Sequence, residues 1–187
     1  MPDKLFFVLL GCTPKGRNTE QHDVFFGIGS SLSDLLPQFA QFWPEAADRL
    51  HIDSWREVTE VNGYAINIIP KTSTPLPSQK RLFFLNLGGY KPNDLEEYHY
   101  KYLSVAENKG KAIREVKETA FYKHTGFEGA HSHIDDKYGV DVDDVYEITD
   151  ILSASLKERY SISIEPATHP LPEDEWHIGY VKLSSLS

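Results

Sequence analysis

The chain says nearly the same thing twice, and this limits its folds more than any other feature. Leu5-Phe6-Phe7 returns as Leu82-Phe83-Phe84, Gly11 as Gly88 and Glu20-x-His22 as Glu97-x-His99, all at a constant offset of 77. A second block follows at an offset of 82: His51-Ile52-Asp53 returns as His133-Ile134-Asp135, and Val58, Tyr64, Ile66 and Ile69 match Val140, Tyr146, Ile148 and Ile151. Each block holds seven identities, over 22 and 19 positions, where chance at ordinary residue usage gives roughly one. Two similar stretches are expected to build similar local structures.

The repeat divides the chain into a first copy at residues 1–69 and a second at 82–152, with an extension at 153–187. Residues 70–81 between the copies are rich in Pro, Ser and Thr and read as a linker. The apolar runs 5–10 and 82–87 read as buried strands, followed by Val24–Ile28 and Tyr100–Val105 as second strands. Ser31 or Ser33 can cap a helix running to about Trp43, with Pro37 tolerated near its first turn, and Asn108 can cap one running to about Tyr122. The two His-Ile-Asp segments and the runs Tyr64–Ile69 and Tyr146–Ile151 complete the copies as strands. In the extension, Ser153 caps a short helix, and Ser161–Ile164 and Trp176–Leu183 read as strands. The expected class is α+β: two tandem ββαββ-like repeats about a pseudo-two-fold, with a largely antiparallel sheet and helices on one face.

Charge removes one class of function. Twenty-eight acidic against nineteen basic residues leave a net charge of −9, the wrong sign for a surface that must neutralise phosphates. A single cysteine excludes an internal disulfide and fits a reducing cytoplasm. Leu9-Leu10-Gly11-Cys12 imitates a lipoprotein processing site, but its apolar run is too short for a signal and recurs mid-chain at 82–89. Cys12 is therefore expected in a buried strand, with neither lipid nor membrane span.

Several strings resemble a known family. Leu9-x-Gly11-x-x-Pro14-Lys15-Gly16-Arg17, Glu20-Gln21-His22-Asp23-Val24-Phe25-Phe26, His51-Ile52-Asp53-x-Trp55, Asn86-Leu87-Gly88-Gly89-Tyr90 and Ser132-His133-Ile134-Asp135-Asp136 are similar to the bacterial domain of unknown function 1543. Its members carry one or two copies of the domain. The resemblance spans roughly residues 5–152 and implies a bacterial protein, but it brings no activity, cofactor or catalytic residue.

Candidate chemistry rests on the duplicated polar residues. Glu20 and His22, like Glu97 and His99, lie at i and i+2, so on a strand both side chains share one face, where a carboxylate can fix the tautomer of an imidazole. His51 and Asp53, with His133 and Asp135, form the second duplicated pair. Histidine is a costly choice for a purely structural position, because burial penalises its charge and its neutral form still needs partners. Lys15 and Arg17, in a glycine-bearing loop, can cradle an anion. His131-x-His133-x-Asp135 imitates a metal-ligand segment of zinc hydrolases, although only its His-Ile-Asp portion repeats. Asp141-Val142-Asp143-Asp144 lacks the spacing and glycine of a calcium loop and reads as an exposed turn.

The expectation is a non-catalytic, cytoplasmic binding or assembly module. Its ligand-facing residues are Glu20, His22, His51, Asp53, Glu97, His99, His133 and Asp135, joined by Lys15 and Arg17. The alternative is a metal-dependent hydrolase using His131, His133 and Asp135. A small anionic ligand, a protein partner or a second copy of the chain are the partners these features admit, and no cofactor class follows from them.

Overall fold

A computed structural model of the chain describes residues 2–46, 49–72, 79–90, 95–125 and 141–186. Its elements run β1 (Lys4–Cys12), β2 (Gln21–Gly29), α1 (Leu36–Phe42), β3 (His51–Val58), β4 (Glu60–Val61) and β5 (Tyr64–Pro70). They continue with β6 (Arg81–Tyr90), β7 (Glu97–Ala106), α2 (Lys109–Thr125), β8 (Asp141–Glu147) and α3 (Ile148–Ile151). The chain closes with α4 (Ala154–Arg159), β9 (Tyr160–Pro166) and β10 (His177–Lys182). Contacts separate two units, residues 1–76 with 152–187, and residues 77–151.

In the first unit β1 is the inner strand of a sheet ordered β10-β3-β1-β2. Its side chains alternate between two apolar environments, as a strand buried on both faces must. Phe6, Val8, Leu10 and Cys12 pack with Phe25, Ile52, Leu35 and Phe39, all buried. On the other face Phe7 meets Phe26 at 4.9 Å and Trp176 at 5.3 Å between ring centroids. Each buried Val, Leu, Ile or Phe side chain among these contributes about 1.5–3 kcal/mol, while Trp176 stays partly exposed.

A 3-10 turn at Leu32–Leu35 leads into α1, and Asp34 sets its start. That carboxylate accepts hydrogen bonds from the Ser30 amide (2.9 Å), the Ser30 hydroxyl (2.7 Å) and the Ser31 amide (3.0 Å). These donors hold the Asp34 carboxyl below its ordinary range. Pro37 sits in the first turn, where its missing N–H costs nothing.

A second sheet of the same unit, β4-β5-β9, begins at a tight hairpin. Asn62 and Gly63 have φ of 54° and 78°, the left-handed pair that a two-residue hairpin of Asn-Gly type requires. Residues 152–187 belong to this unit: β9 pairs with β5, and β10 pairs with β3. Asp174, just before β10, fastens the crossing loop. It accepts from the Thr59 amide at 3.1 Å and the Thr59 hydroxyl at 2.6 Å, and lies 3.7 Å from the Arg56 guanidinium. Arg56 lies over the Trp176 ring at 4.7 Å. Burial draws its pKa below the ordinary value, while Asp174 and Glu60 oppose that.

The second unit is a sheet ordered β7-β6-β8 with α2 against one face. Phe83, Leu85 and Leu87 of β6 pack with Ala106, Ala112 and Val116. Asn108 caps α2 as expected, its side-chain oxygen accepting from the Lys111 amide at 3.0 Å. Every described strand pair in both units is antiparallel, so the mixed, mainly antiparallel class holds.

Two readings need correction. The run Tyr146–Ile151 is not one strand: β8 ends at Glu147, and Ile148 opens a helical turn that buries its own side chain. Nor is Asp141–Asp144 an exposed turn, since it is the first half of β8. Its carboxylates suited a turn by composition, but pairing with β6 decides the conformation.

Candidate functional site

The polar residues of the first unit gather at one end of β1. Gly11 lies opposite His22 on β2 and opposite His51 on β3. Since Leu10 and Cys12 face the core with Phe39, alternation turns Gly11 and its two histidine neighbours to the other face. Glu20 precedes His22 by two residues and shares that face.

Asp53 arrives there by a different device. The register passes from Leu9 opposite Ser54 to Leu10 opposite Ile52, which leaves Asp53 as the extra residue of a β-bulge. Bulges re-aim side chains, and this one turns the Asp53 carboxylate onto Gly11. A Cβ built on Gly11 would overlap His51 Nε2 and lie 2.6 Å from Asp53 Oδ2. Only glycine leaves room for the cluster.

The four side chains form a closed ring of alternating imidazoles and carboxylates. His22 Nε2 is 3.5 Å from Glu20 Oε2 and 3.1 Å from Asp53 Oδ2. His51 Nε2 is 2.9 Å from Glu20 Oε1 and 3.3 Å from Asp53 Oδ1. Each carboxylate thus gives one oxygen to each imidazole. The His51 side chain is 7% exposed and that of His22 42%, so the ring has a buried wall and an open one. Tyr180, on β10, covers the buried side with its ring 4.5 Å from that of His51. Asp53 Oδ2 is itself buried and, among the described residues, has no hydrogen-bond partner, although His22 Nε2 lies 3.1 Å away.

The second unit repeats much of this. Gly88 lies opposite His99 on β7 and Asp141 on β8, and a bulge at the same place, between Asn86 and Leu87, leaves Asp143 as the extra residue. His99 Nε2 is 3.4 Å from Asp143 Oδ2. Ligand atoms of Glu97, His99 and Asp143 all lie within 4.8 Å of one another, with all three residues exposed. A Cβ on Gly88 would lie 2.6 Å from Asp143 Oδ2 and from Glu97 Oε1.

This register overturns the second block of the sequence repeat. Position for position, the counterpart of Asp53 is Asp143, that of Glu57 is Glu147, and the place of His51 is taken by Asp141. The matches at offset 82 pair unlike elements: Tyr64 and Ile66 lie in β5, whereas Tyr146 lies in β8 and Ile148 in α3. His131, His133 and Asp135 lie outside the described residues. Lys15 and Arg17 are exposed on a turn closed by the Arg17 amide to the Pro14 carbonyl at 3.1 Å, with Gly16 at φ 81°. Cys12 carries a thiol in no disulfide and is fully buried in the core. Sequence reasoning missed Asp143 and Tyr180. The signal for Asp143 was the spacing of Asp53 to Glu57, which recurs as Asp143 to Glu147.

Among the described residues no helix is long and apolar enough to cross a membrane. None of the curated proteins matches the chain. A family model described as Domain of Unknown Function (DUF1543) matches residues 17–68, a segment within the first unit that holds Glu20, His22, His51 and Asp53. Among solved structures, the chain is similar to the crystal structure of a protein Il1583 from Idiomarina loihiensis, at 26% identity over 95% of each chain and a TM-score of 0.58. What carries over from these relatives is a domain and a fold.

Proposed function

We propose that the chain is a non-catalytic binding module made of two related copies of one domain, each offering a histidine–carboxylate cluster to a positively charged ligand. The observation that carries this is the ring of Glu20, His22, His51 and Asp53 over Gly11. Two carboxylates face its centre, and the buried Asp53 Oδ2 lacks a donor. A buried acceptor without a donor favours a cation over the small anion suggested by Lys15 and Arg17.

The idea of two copies rests on equivalent pairings: Leu5 with Ile28 and Leu82 with Val105, Gly11 with His22 and Gly88 with His99, and a bulge at the same step of the central strand. The test is thermal unfolding of the full chain, stripped with a chelator, against divalent cations, ethylammonium, acetate and phosphate. Cations raise the midpoint in the wild type and raise it less in His22→Gln. Stabilisation by the anions alone, or by nothing in the panel, would end this reading.

A further inference from the structure

The ring over Gly11 has the donor composition of a metal site. We infer that Glu20, His22, His51 and Asp53 bind one first-row divalent metal ion of the zinc class with four protein ligands, and that Glu97, His99 and Asp143 form a weaker, oxygen-richer counterpart. This deepens the cation-binding reading above and rests on it.

Three independent features point the same way. The first is donor chemistry. Two imidazoles and two carboxylates match zinc and its first-row neighbours, whereas calcium and magnesium select oxygen shells. The second is convergence. Each imidazole nitrogen lies 2.9–3.5 Å from an oxygen of both carboxylates, so the four groups reach one place. The third is satisfaction of polar groups. Asp53 Oδ2 is buried with no hydrogen-bond donor among the described residues, and a cation between the imidazoles gives that oxygen its partner.

The surroundings fit a site that holds its ion rather than one that reacts it. His51 is held by burial and by the Tyr180 ring, and Asp53 by a bulge, so two ligands stand in place before the ion arrives. Four protein ligands leave a tetrahedral ion no open position, the mark of structural rather than catalytic zinc. The second unit differs in kind. An aspartate occupies the place of His51, and the remaining three ligands are exposed. With one imidazole and carboxylates, it should favour harder ions and bind them less tightly.

The experiment is a cobalt titration of the chelator-stripped full chain, followed by visible absorption. Four-coordinate cobalt absorbs far more strongly than six-coordinate cobalt, so the spectrum reads the geometry directly. The expected result is an intense band saturating near one equivalent, abolished by one equivalent of zinc. His22→Gln, at the exposed wall where folding is least at risk, loses the intense band, and His51→Gln does so too. Asp143→Asn keeps the band and loses only a later, pale component. Circular dichroism establishes that each variant is folded. A pale six-coordinate spectrum in the wild type would overturn the inference, as would an intense band unchanged in folded His22→Gln. Either result leaves the broader cation reading standing if magnesium, manganese or ethylammonium still stabilise the chain, while failure of every cation removes both.

Discussion

Replacing Gly11 by alanine isolates the close approach on which the cluster depends. Gly11 lies in regular strand, and the described glycines with left-handed φ are Gly16, Gly63 and Gly179. The backbone therefore accepts alanine, and relief from the entropic cost of a strand glycine would stabilise by about 0.5–1 kcal/mol. Against this, the new methyl overlaps His51 Nε2 and lies 2.6 Å from Asp53 Oδ2. His51 is buried beneath Tyr180 and cannot simply swing into water, so the overpacking cost of about 1–3 kcal/mol applies. The net expectation is a loss of about 1–2 kcal/mol, lowering the midpoint by about 2–4 °C per kcal/mol in a chain of this size. Trp43, Trp55 and Trp176 all belong to the first unit, so tryptophan fluorescence in a urea titration reads the affected unit alone. In Gly11→Ala/His51→Ala the space is vacated, and the alanine should be neutral or stabilising relative to His51→Ala, a coupling that a double-mutant cycle exposes. Gly88→Ala, read by circular dichroism, should change stability by less than about 0.5 kcal/mol, because the exposed ends of Glu97 and Asp143 can turn into solvent. Gly11→Ala as stable as the wild type, with unchanged ligand binding, would refute the packing argument.

Asp174→Ala strands the partly buried Arg56 guanidinium and removes acceptors from Thr59, and should cost about 3–5 kcal/mol in the same fluorescence assay. Asp34 has a folded pKa below its ordinary 3.8, so its contribution is complete above that pH and is lost as pH falls through the lowered folded value; Asp34→Asn should flatten this part of an acid titration. Cys12 is fully buried, so a soluble thiol reagent should label it only at the rate at which the strand opens, rising with denaturant in step with unfolding.

The first two strands of each unit were legible in the sequence because their chemistry is contiguous. A run of Leu and Phe, a glycine and a Glu-x-His string mark the strands in both copies, and the offset of 77 makes Gly88–His99 the counterpart of the Gly11–His22 pair. The third strands were not legible. What β3 and β8 share at equivalent places is Asp53 with Asp143 and Glu57 with Glu147, four residues apart, and a tripeptide identity elsewhere outweighed them. A bulge adds to the difficulty, since it shifts the alternation from which facing residues are read. Tyr180 left no trace at all: its role comes from β10 reaching β3 across a whole intervening unit, a distance that local patterns do not carry.

That crossing gives the site a place in time. The second unit is one uninterrupted stretch, whereas the outer edge of β3 waits for β10, roughly 120 residues later, or about 6–24 s at ordinary rates of synthesis. During that interval the strand bearing His51 and Asp53 presents unpaired backbone, the kind of edge to which another chain can attach. The second unit can close within the same interval, so the better cluster is the later one to be finished. Slowing elongation after residue 151 should therefore lengthen the life of an open edge without touching any residue of the cluster.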